Sequence, residues 1–138
     1  MADIAVQPII LQDVDLILGV GTDDYAAACS SAILTPNTPI VSWKGLKRGT
    51  AFSAAGTTTW TLDLTYAQDH AAAARLAGYL YAHRGEVVPM SFKTDPTHAT
   101  WNADVMVAAG AIGGAVDVVP ESTVSLPVTS EPEPTYPV

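Results

Sequence analysis

Hydrophobic and polar positions alternate most cleanly over residues 57–66. There Trp60, Leu62, Leu64 and Tyr66 fall on one face of an extended chain. Thr57, Thr59, Thr61, Asp63 and Thr65 fall on the other. A period of two built from β-branched and aromatic residues predicts a strand with one dry and one wet face. Residues 100–108 repeat the pattern, with Trp101, Ala103, Val105 and Val107 set against Asn102, Asp104 and Met106. Residues 86–93 do so again through Val88, Met90 and Phe92. Between these strands the period changes. Ala72, Ala73, Leu76, Leu80 and His83 recur at spacings of three and four, a narrow apolar stripe that predicts a helix over 70–84. Asp69 is placed to cap its first turn, Arg84 suits its negative end, and Gly85 suits a left-handed stop.

Weaker alternation predicts strands at 4–11 and 14–20, with Pro8 marking the first as an edge strand. A turn follows at 19–24. Residues 25–34 are small; alanine favours a helix there, but the flanking turn signals favour a strand. Further strands are expected at 40–43 and, after a glycine-rich bend at 109–114, at 115–119 and 122–128. Residues 44–56 hold three glycines and no strong period. A connection this long is seldom idle in a small domain, and it reads as an extended hairpin or arm reaching a neighbour. The other reading is a surface loop. Residues 130–138 alternate Pro with polar residues and are expected to be extended. The whole predicts a mainly β fold: an antiparallel sheet with one helix, an extended arm, a single domain over 1–129 and a Pro-rich tail over 130–138.

Composition changes this picture in one direction. Charged residues are 14% of the 138, against a typical ~25%, which leaves much of the surface uncharged. Such surface favours cover by partners, and so a homo-oligomer. The net charge of −8, from 14 acids against 6 bases, argues against ordinary nucleic-acid binding. The one basic cluster is Lys44, Lys47 and Arg48, at the start of the arm. Cys29 is the single cysteine, so no disulfide framework exists, and a small packed thiol is expected. The acidic N-terminus and the lack of a ~20-residue apolar run suggest a soluble chain made in a cytoplasm.

Catalytic chemistry is not visible. His70, His83 and His98 are scattered, without the convergence a zinc site needs. No Ser-His-Asp spacing, nucleophile elbow or phosphate loop occurs, and residues 110–114 lack the lysine of the last. Asp13 with Asp15, and Asp23 with Asp24, read as turn residues before Ca²⁺ ligands. The expectation is no catalytic residue, no cofactor and no metal.

Three segments in order carry a resemblance. TTTWTLDLTYAQD leads into AAAARLAGYLYAHRG; VVPMSFKTDPT is followed by ATWNADVMV; and the chain closes on GGAVDVVPESTVSLPVTSEPEP. Together, over residues 35–134, they resemble the major tail tube protein of long-tailed bacteriophages. The resemblance implies an antiparallel β-sandwich flanked by one helix, six subunits in a ring, and rings stacked into a hollow tube through which DNA passes unbound. It further implies tape-measure and tail-terminator proteins as partners, and a place in the virion tail after assembly in the host cytoplasm. Under it, Asp63 and Asp104 become candidates for the lumen, and Lys44, Lys47 and Arg48 candidates for an arm between rings, together with the termini. Ordinary exposed acids and a solvated basic turn are the plain alternatives. A monomeric β-sandwich binding module, or the tube protein of a contractile secretion apparatus, are the competing functions.

Overall fold

Among the residues described by the structure, a computed structural model covering 3–19, 24–72 and 74–137, strands dominate. Val20, Gly21, Thr22 and Asp23 of the expected strand end and turn, Ala73 of the helix stripe and Val138 of the tail lie outside them. The strands are β1 (Asp15–Leu18), β2 (Cys29–Asn37), β3 (Ile40–Lys44), β4 (Ala51–Ala55) and β5 (Thr59–Ala67). After helix α1 (Leu76–Ala82) come β6 (Val87–Lys93), β7 (Thr100–Met106), β8 (Glu121–Val128) and β9 (Glu133–Thr135). Pairing is antiparallel throughout, in the order β1-β6-β7-β8-β5-β2, with β9 on β7. Strands β3 and β4 form a separate two-stranded ribbon.

The sheet folds over because β7 and β8 meet at one register pair, Val105 with Val128. On one side lie β1, β6 and β7; on the other lie β8, β5 and β2. The chain leaving β8 then crosses to β7: Thr129 N–H donates to the Asp104 carbonyl, Ser130 Oγ accepts from the Asp104 N–H, and β9 continues along Thr100–Asn102. A strand that switches halves in this way makes the corner of a sandwich.

Alternation places the core. Leu62, Leu64 and Tyr66 of β5, Val124 and Leu126 of β8, Met90 and Phe92 of β6, and Ala103 and Val105 of β7 are all buried. They form one cluster with Leu16 and Leu18 of β1 and with Leu76, Ala77 and Leu80 of α1. Facing residues on β5 and β7 are those the period-two pattern assigned to the dry side. The helix ends at Ala82, two residues before the expected Arg84; Gly85 takes φ +83° in the turn that follows, and Arg84 donates to the Tyr81 carbonyl at 2.7 Å.

Four expectations are corrected. The helix is half as long, because Ala71, Ala72 and Ala74 are exposed and only the Leu76/Ala77/Leu80 face meets the core. Alanine propensity without packing does not sustain a short helix. Asp69 therefore caps a turn, accepting from the Ala71 N–H at 3.1 Å, while the helix itself starts after Arg75 with no side-chain cap. Residues 4–11 form no strand; Ile4, Val6 and Ile10 are exposed, and among the described residues no strand pairs with them. Residues 115–119 form none either: Asp117 sits at φ 65°, a left-handed turn position that ends extended backbone. The tail at 130–138 is extended, and its own β7 holds part of it as β9, with Pro132 buried.

Candidate assembly surfaces

The arm is a hairpin. Ile40 faces Ala55, Trp43 faces Phe52 and Lys44 faces Ala51, and the base closes where Gly56 N–H donates to the Pro39 carbonyl at 2.7 Å. Every residue of β3 and β4 is exposed. The register sorts the two faces. Val41, Ala54, Trp43 and Phe52 share one, while Ser42 and Ser53, joined by a 3.1 Å hydrogen bond, share the other with Lys44. Trp43 is 64% exposed and Phe52 60%, so an aromatic cross-strand pair stands largely in water. An isolated two-stranded hairpin is marginal, and an uncovered apolar face of this kind marks an interaction surface.

Lys44, the last residue of β3, opens the tip, residues 44–50, which also holds Lys47 and Arg48. Residues 40–55 contain no acid, so the hairpin carries +3 and the rest of the chain −11, which together give the net −8. The charge pattern of the sequence singled out the bases. The apolar face opposite them was missed, although Val41 and Trp43 two apart carry its signal.

Both acidic candidates sit on outward faces, in different halves of the sheet. Asp63 lies between β2 and β8 and is half-buried among hydroxyls; Ser125 Oγ donates to it at 2.5 Å and Thr35 Oγ1 at 3.4 Å. Thr65 and Thr123 bond across the same face at 3.2 Å. This is a continuous polar surface of Thr, Ser and one carboxylate. Asp104 is exposed on β7 beside Asn102, which accepts from Ser91 Oγ at 2.9 Å.

A polar latch holds the glycine-rich loop. Gln68 donates to the Gly113 carbonyl at 2.9 Å and to Ser122 Oγ at 2.8 Å, and accepts from the Gly113 N–H at 2.8 Å. Buried Ser122 donates in turn to the Ala111 carbonyl. The loop it fixes exposes Ile112, Val116, Val118 and Val119, a second uncovered apolar patch.

Among the described residues no three His, Cys, Asp or Glu side chains gather as a metal site, and no helix is long and apolar enough to cross a membrane. His83 bonds Glu86 at 2.6 Å and stacks on Tyr79; His98 reaches the Gln7 carbonyl; His70 is exposed. Trp60 and Trp101 line a groove of about 340 Å³ with Phe92 and Leu34. Cys29 is half-buried, and burial, with a smaller push from the Asp24 charge, raises its thiol to about 11. Only the thiolate reacts, so alkylation of Cys29 by iodoacetamide at pH 8 is expected to run roughly 100-fold slower than that of the unfolded chain. Equal rates in native buffer and in urea would contradict this burial.

The sequence matches no protein-family model, and no curated protein matches it. Comparison of folds does find likenesses. A chain from the virion of a native gene transfer agent particle superposes with a TM-score of 0.65 at 12% identity, over 88% of this chain and 95% of that one. A chain from the tail of an empty gene transfer agent particle, reconstructed with C6 symmetry, superposes with a TM-score of 0.67 at 13% identity, over 88% and 93%. This chain thus shares its fold with those two chains over 88% of its length.

Proposed function

We propose that this chain is a tail tube subunit: six copies close into a ring, rings stack into a hollow tube, and a DNA duplex passes through without binding. The observation that carries this reading is the likeness of fold to a chain of a tail with C6 symmetry. The exposed amphipathic hairpin supports it, because it gives each subunit an arm whose apolar face requires a neighbour. The same reading makes the chain a structural virion protein, with tape-measure and terminator proteins at the ends of the tube, and gives it no enzymatic role.

A lumen for DNA has to be polar and acidic, so that phosphates are repelled and no side chain stacks on a base. Asp63 and Asp104 are the acids proposed for it, and single replacements decide which half of the sheet faces inward. Asp63→Lys or Asp104→Lys is expected to leave tubes of normal appearance. The replacement that faces the lumen lowers DNA delivery by about tenfold or more, since every ring then repeats the attraction for phosphate. Delivery unchanged by both variants would contradict the lumen assignment.

A further inference from the structure

The sheet order ends at β1 on one side and β2 on the other. Between these two ends lies a cleft of about 620 Å³, lined by Asp13, Asp15 and Asp24, by Cys29 and Ser30, and by Ile33. The outer edge of β2 carries no strand among the described residues, so the cleft is walled by a free sheet edge, the part of a β protein most ready to receive another chain. We propose that this cleft receives the hairpin tip, residues 44–50, of a second copy of this chain, an inference that rests on the tube reading and names the receptor of its arm.

Two observations select that occupant. The first is charge. The tip concentrates Lys44, Lys47 and Arg48 on a stretch without acids, and the cleft presents three carboxylates, of which Asp15 is shared with Lys93 at 3.4 Å. The second is placement. The cleft is lined by the first half of β2, Cys29 to Ile33, whereas the hairpin departs beyond the opposite end of that strand, after Asn37. Arm and receptor therefore occupy opposite ends of one ladder. A copy displaced along β2 brings its tip to the cleft of the next, a heterologous contact that repeats without closing and so builds a stack. The chain from Ser31 to Lys47 spans at most roughly 55 Å when fully extended, which sets an upper limit on the axial repeat.

Charge reversal tests this. The tip variant is Lys44→Glu with Lys47→Glu and Arg48→Glu. The cleft variant is Asp13→Lys with Ser30→Lys, two exposed positions that leave the Asp15–Lys93 pair and the backbone bonds of Asp24 intact. Each alone is expected to lower the sedimentable rod fraction by about tenfold, and a chain carrying both sets restores it to within about twofold. No restoration in the combined variant, with thermal unfolding showing folded subunits, overturns the cleft as receptor. Rods formed normally after removal of the whole hairpin would instead sink the arm reading beneath it. A covalent test needs no charge change: Lys47→Cys with Ser30→Cys, on a Cys29→Ser background, gives a ladder of disulfide-linked oligomers on oxidation of the rods. Rods that oxidise to no ladder, or an axial repeat above the limit, contradict the proposal.

Discussion

Replacing residues 40–55 by a two-residue Asn-Gly turn is expected to give a folded subunit that no longer forms rods at any concentration. The ends to be joined are already adjacent, with Gly56 N–H on the Pro39 carbonyl and Thr38 Oγ1 2.7 Å from Thr58 Oγ1. Two residues with an Asn-Gly preference for positive φ close such a ladder well. Folding is expected to change by less than about 1 kcal/mol, because none of the excised side chains belongs to the core. Assembly loses both the Trp43/Phe52 face and the three bases of the tip. Size-exclusion chromatography and urea denaturation of the same protein separate the two effects. Normal rods from this variant would contradict the role of the arm.

The second large effect is on stability. Leu62→Ala is expected to destabilise the subunit by about 2–5 kcal/mol, the cost of a large-to-small change in a site that collapses incompletely. Leu62 is fully buried at the centre of β5, between Leu34 of β2 and Leu126 of β8. Ile33→Ala, one register step away but 56% exposed on the outward face, is expected to cost about 0.5 kcal/mol or less in the isolated subunit. The contrast tests the register directly, since a slip of one residue would exchange the two faces and reverse the order. Similar losses from both variants would contradict the faces assigned here.

Local pattern carried most of the fold. The two faces of β5, β6 and β7 follow from alternation because each strand is buried on one side only, and the left-handed turn after the helix follows from Gly85. Where the pattern misled, the missing information was non-local. Ile4, Val6 and Ile10 alternate like a strand, yet among the described residues no edge receives them. The alanines before Leu76 have helix propensity but no surface to pack on. Val116, Val118 and Val119 look like a strand until Asp117 takes a left-handed conformation. Of the functional surfaces, the basic arm was legible as a long aperiodic insert, whereas its apolar face emerged from the pairing of Trp43 with Phe52. The cleft between β1 and β2 has no sequence signature, because it exists only where the first and last strands of the sheet order come near one another.

Electron microscopy of the purified protein over a concentration series tests the central claim most directly. The account predicts hollow rods or rings with six-fold symmetry that appear as concentration rises. Single subunits that stay monodisperse to the highest concentration would contradict it.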